Sequence, residues 1–241
     1  MHNTNIHLIN LIKIILIGLW SFVIYYFVEP SVWTIIICVL LLIVSELVQT
    51  IVHELGHLIG GLFSRYHFFL LRLGPLDIYK KQWESKLVAS FTGKRFYTQC
   101  IMIPNAENET HFIAYNLSGI LFNVLITGIS LHSAFFLLDK MPFGFVFAVS
   151  LGVMGLNKVI ANTILCKNAD IPNDMTIIVW LSSSRKTKAD YFSYLQVYEK
   201  IAYGFGFDPI LAKTDFAQKD IDCYTPFFAA ALSALVDDPS R

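Results

Sequence analysis

The chain has 241 residues, 55% hydrophobic and only 15% charged, with 18 Lys and Arg balanced by 18 Asp and Glu. With a mean hydropathy of +0.57, this composition excludes an ordinary soluble domain and describes a multi-pass membrane protein. A net charge of zero gives no bulk attraction to nucleic acid, so no nucleic-acid partner is expected.

Taken in order, the chain reads as mainly α: about four transmembrane helices, a small membrane-associated β segment and a cytoplasmic helical tail. The first span runs from about Ile6 to Val28. It lacks a clear charged leader region and a small-residue cleavage site, so it reads as a retained helix rather than a signal peptide. Glu29-Pro30 makes the turn. The second span, about Val32 to Phe63, is longer than a bilayer needs and must tilt, kink or protrude. Residues 64–110 break into short aromatic and β-branched runs that predict strands joined by turns. They are apolar enough to lie against the membrane face, either as interfacial packing or as an edge that pairs with an extended substrate. Asn116 to Leu138 forms the third span, Asp139 to Pro142 the turn, and Phe143 to Leu165 the fourth.

After Leu181 the composition turns polar. Tyr191, Tyr194, Leu195, Tyr198 and Ile201 recur at helical spacing, and further helical pieces are expected over Asp208 to Asp222 and Pro226 to Val236. The organisation is therefore a first helix and turn (1–31), a membrane core (32–180) and a tail (181–241) without a readable motif. Cys38, Cys100, Cys166 and Cys223 form no C-x-x-C pair and read as small apolar residues.

Basic residues predict the orientation. Arg65, Arg72, Lys80, Lys81, Lys86, Lys94 and Arg95 lie between spans two and three, and Lys167, Arg185, Lys186 and Lys188 follow span four. The two short turns on the other side carry Lys140 alone. The positive-inside rule then places both termini and residues 64–110 in the cytoplasm, with the protein in the cell membrane.

Within span two stands His53-Glu54-Leu55-Gly56-His57. Two histidines four apart share one helix face and can share one metal ion, and the glutamate between them is placed to act as general base on a water activated there. A catalytic zinc needs a third protein ligand. Asp170 and Asp174, just past span four, are both within reach of the cytoplasmic half of span two. Glu46 and Gln49 fall seven and four residues before His53 on the same face, as orienting groups, as the lining of a water route or as helix–helix hydrogen bonds. Gly56 and Gly60 make a small-x-x-x-small face for close helix approach. Lys158, inside span four, calls for a wet cavity or an ion pair.

H-E-x-x-H inside a membrane helix resembles the site-2 protease family of intramembrane zinc metalloproteases, as a small bacterial-type member, over roughly residues 32–180. The resemblance implies one Zn2+ per chain held by His53, His57 and Asp174, since Asn173-Asp174-Met175 precedes an apolar run as the family's ligand aspartate does, with Met175 where glycine is usual. It also implies a catalytic role for Asn123, in Asn116-Leu-Ser-Gly-Ile-Leu-Phe-Asn123, with Ile120 where proline is usual. That role is a hydrogen bond to the substrate carbonyl or oxyanion, the plain alternative being an interhelical bond. The activity implied is that of a metalloendopeptidase with Glu54 as general base, acting on a transmembrane or hydrophobic peptide in the lipid bilayer. The alternatives are an inactive relative that only binds a membrane partner, which intact Glu54 argues against, and a metal transporter. A transporter would spread polar residues over several spans, whereas here they gather on one level of span two.

Overall fold

The computed structural model describes residues 2–29, 31–80, 86–91, 98–104, 111–168, 171–185, 188, 191–192 and 195. Four long helices carry the architecture: α1 (His2–Phe27), α2 (Val32–Phe63), α3 (Phe112–Leu137) and α4 (Pro142–Thr163). All four are long and apolar enough to cross a membrane. Their side chains are sorted inside out relative to a soluble bundle. Leu19, Phe22, Val32, Trp33 and Phe135 are exposed, whereas Ser45, Gln49, Asn123 and Ser150 are wholly buried. Each of these interior polar groups is satisfied by hydrogen bonding, as burial requires; Ser45 Oγ, for example, donates to Leu41 O.

The 32-residue α2 is about 48 Å long, so it outreaches its neighbours and carries the chain into the sheet. Ser31 caps its start, accepting from Thr34 N at 3.1 Å. Its end closes with Tyr66 N donating to Gly61 O at 2.8 Å and Arg65 N to Leu62 O at 3.0 Å. This is the Schellman arrangement, with Arg65 at φ 59 in the left-handed position that glycine usually takes.

Strands β1 (His67–Leu73), β2 (Leu76–Lys80), β3 (Leu87–Phe91) and β4 (Thr98–Ile103) follow, all antiparallel, in the order β3-β2-β1-β4. Strands joined by turns were expected over 64–110, and these are they. The central strand β1 is covered on both faces: Phe69, Leu70, Leu71 and Arg72 are all buried. Arg72 faces its cross-strand partner Asp77 in a buried two-pronged pair, Nε to Oδ1 at 2.6 Å and an outer guanidinium nitrogen to Oδ2 at 2.7 Å. One face of the sheet seats Tyr66, Leu71, Cys100 and Met102 against Leu58 of α2 and Tyr115 of α3.

After α4 a two-stranded hairpin, β5 (Lys167–Asn168) with β6 (Ile171–Pro172), turns the chain back into α5 (Asp174–Ser183). Leu181 of α5 and, after it, Phe192 and Leu195 pack on the bundle and the sheet. Phe192 is 2% exposed and Leu181 4%, both packed with Phe112 at the start of α3, and Leu195 touches the sheet cluster of Phe69, Leu70 and Ile103. The helical pieces expected over 208–222 and 226–236 lie outside the described residues.

Candidate metal centre

His53 and His57 stand one turn apart on the buried side of α2, their rings perpendicular with centroids 4.6 Å apart and their Nε2 atoms 3.1 Å apart. The close approach of α3 packs them in place. A Cβ on Gly56 would lie 2.8 Å from Ser118 O, and one on Gly60 would collide with the Ser118 side chain. The small-residue face expected of Gly56 and Gly60 is thus the α2–α3 contact.

The third group arrives from the far end of the chain. The β5–β6 hairpin brings Asp174, at the head of α5, to the histidines: Oδ2 is 3.1 Å from His53 Nε2 and Oδ1 is 3.4 Å from His57 Nε2. Asn173 positions it. Its Oδ1 accepts from Thr176 N at 3.1 Å, capping α5, while its Nδ2 donates to Ala161 O at 2.7 Å and Ile164 O at 2.6 Å. Those two carbonyls belong to the unpaired end of α4, so one carboxamide caps the start of one helix and the end of another. Thr176 completes the joint: Oγ1 accepts from Cys166 N at 3.0 Å and donates to Cys166 O at 3.1 Å. With Asn173 as the cap, Asp174 is left to face the imidazoles. Asp170, the alternative third ligand, lies outside the described residues.

The protons on the two rings follow from their other neighbours. His57 Nδ1 is 2.9 Å from Tyr115 O, which can only accept, so Nδ1 carries the hydrogen. His53 Nδ1 is 2.8 Å from Asn123 Oδ1. Asn123 is oriented by its amide nitrogen, which donates to Gln49 O and Gln49 Oε1, each at 2.8 Å. Oδ1 therefore points to His53, whose Nδ1 carries the hydrogen as well. In their neutral form the two rings would present both Nε2 lone pairs to the space they share with the Asp174 carboxylate. Asp174 Oδ2 is itself buried without an aligned hydrogen-bond donor among the described residues.

Two imidazole nitrogens and a carboxylate that converge in this way could hold a metal ion. Their spacing fits one. With Zn–N and Zn–O bonds of about 2.0–2.2 Å, the edge of a tetrahedral set is about 3.3–3.6 Å; the two Nε2 atoms are 3.1 Å apart, and Asp174 turns one oxygen to each ring, Oδ2 at 3.1 Å from His53 and Oδ1 at 3.4 Å from His57. The same three residues alone form a potential metal-holding group among the described residues.

Compared with known proteins, the chain matches no family model, no curated protein and no solved structure. The centre therefore speaks through its own geometry.

The other residues singled out from the sequence take these places. Glu54 is 7% exposed, next to the ligand atoms in sequence but outside the group that converges. Asn123 reaches the centre: its amide nitrogen donates to Gln49 O and Gln49 Oε1, and its Oδ1 faces His53 Nδ1. Gln49 also donates to Leu151 O of α4 at 2.9 Å. Lys158 is paired, its Nζ 3.0 Å from Glu46 Oε1. Cys38, Cys100 and Cys166 are free and buried. Burial pushes the Cys100 and Cys166 thiols up, with Glu54 adding to the effect at Cys100, so neither offers a thiolate at neutral pH. Sequence reading missed Asn173, Thr176 and Tyr115. The N-x-x-T spacing of the first two is a helix-capping signal; Tyr115 acts on His57 through its carbonyl, which no side-chain pattern reveals.

Proposed function

We propose that the chain is an intramembrane zinc endopeptidase of the site-2 protease type, with the metal held by His53, His57 and Asp174. The observation that carries this reading is the convergence of two imidazole nitrogens and a carboxylate, beside a buried glutamate, inside a bundle of helices apolar enough to span a membrane. When bound, zinc supplies Lewis acidity, bringing the pKa of water towards 7 and polarising a carbonyl. The protein residues do the rest. Glu54, buried one residue from His53, takes a proton from the attacking water and returns it to the departing amine. Asn123 and Tyr115 hold the imidazoles in the tautomer that ligates.

The substrate is a transmembrane or hydrophobic peptide in the bilayer. Its carbonyls are locked in i to i−4 bonds while helical, so the target must open into an extended form before attack. Strand β4 is an edge of the sheet, and Tyr115 ties it to the centre: the Tyr115 hydroxyl donates to Cys100 O at 2.7 Å while its carbonyl holds His57. An extended segment added at that edge would be fixed relative to the metal by a single residue.

The test uses the full chain purified in detergent. Wild type should carry one zinc per chain and cleave a transmembrane peptide. Glu54→Gln should keep its zinc and lose cleavage by at least ~10²–10⁴-fold, the loss expected of a positioned general base. His53→Ala should lose both. A glutamine variant cleaving at near wild-type rate would remove Glu54 from the chemistry.

A further inference from the structure

A chain of side-chain hydrogen bonds runs from α4 to His53. Leu151 O is a backbone carbonyl and can only accept, so the Gln49 carboxamide must turn its nitrogen towards it, at 2.9 Å. That leaves Gln49 Oε1 facing Asn123, whose nitrogen must in turn face Gln49, at 2.8 Å. Asn123 Oδ1 then meets His53 Nδ1 at 2.8 Å, and the free lone pair of His53 falls on Nε2, at the metal centre.

Gln49 and Asn123 are both wholly buried, so water cannot correct a reversed amide. The Gln49 main-chain carbonyl also faces Asn123 Nδ2, but within α2 it is the i−4 acceptor for the His53 amide as well. That carbonyl keeps a second lone pair for Asn123, so the main chain and the side chain of residue 49 orient the amide together. A seat is built for the side chain: a Cβ on Gly155 of α4 would lie 2.6 Å from Gln49 Nε2 and would collide with Thr127 Oγ1.

We propose that Gln49 is a positioning residue for the metal, transmitting the direction of the Leu151 carbonyl through Asn123 to His53, with Gly155 keeping its place open. The proposal rests on the reading that His53 ligates a metal. It makes ligand competence conditional on the docking of α4, a helix that supplies no ligand itself.

The experiment measures zinc affinity by chelator competition, Co2+ absorption and melting temperature with and without zinc, on the full chain in detergent. Gln49→Leu removes the amide, and Gly155→Ala displaces it without touching any ligand. Each should weaken zinc by about tenfold, the lower end of the effect of losing a group that orients a ligand. Each should also shrink the zinc-induced rise in melting temperature and alter the Co2+ spectrum. Because both act on one relay, the double variant should bind no more weakly than the weaker single one. If Gln49→Leu does not fold, Gln49→Met and Gly155→Ala carry the test. A lower melting temperature of the metal-free protein with unchanged zinc affinity would overturn the proposal and leave Gln49 a packing residue. Wild type that binds no zinc would overturn the metal centre, and this proposal with it, before any variant is compared.

Discussion

Gly119 of α3 shows how little room the centre leaves. A Cβ there would lie 2.6 Å from His57 Nε2 and 2.8 Å from His53 Cε1, closer than real carbon contacts allow. Gly119→Ala should displace a ligand with one methyl group and lower zinc affinity by at least about tenfold, read by metal analysis of the purified protein. At this scale the sequence was legible where the relation is local. His53, Glu54 and His57 are linked by helix periodicity alone. Asn123 was less so, because the direction of an amide is set by neighbours distant in sequence, Gln49 at 74 residues and His53 at 70. Lys158 and Glu46 were each conspicuous as charges inside an apolar helix, but their pairing needed the packing of α4 on α2.

At the scale of elements, the joint between α4 and α5 carries Asp174, the proposed third ligand. Asn173→Ala removes the α5 cap, costing about 1 kcal/mol, and also the two bonds to Ala161 O and Ile164 O. It should weaken zinc while leaving the far-ultraviolet signal of the long helices in place. Asp174→Ala should abolish zinc binding and Asp170→Ala should leave it; the reverse pattern, by metal analysis, would move the ligand to Asp170. Hydropathy gave α2 its bounds to the residue, Val32–Phe63. It started α3 four residues late, at Asn116 rather than Phe112, because Phe112 to Tyr115 sit in an aromatic stretch that reads equally as interface. In the tail, Leu181 and Phe192 are buried anchors set in a polar background, and average composition hides such isolated contacts.

For the whole molecule, the asymmetry of Lys and Arg predicts that both termini and the sheet face the cytoplasm. Reporters fused after Lys140 and after Arg241 should then signal opposite sides of the membrane, and a result placing both on one side would end the four-span arrangement. Asn123 and Leu151, which lead to His53, fall near the middle of α3 and α4.

The order of the ligands along the chain has a consequence for biogenesis. His57 and Asp174 are 117 residues apart, and at about 5–20 residues per second a ribosome needs roughly 6 to 23 s to make that interval. Throughout it the nascent protein holds a pair of imidazoles without the carboxylate that completes them. On the proposed reading, a peptidase built in this order would stay dormant while its own apolar segments, the kind it is proposed to cut, enter the bilayer. Nascent chains arrested before residue 174 should retain no zinc against a chelator, and chains arrested once α5 has emerged should retain it.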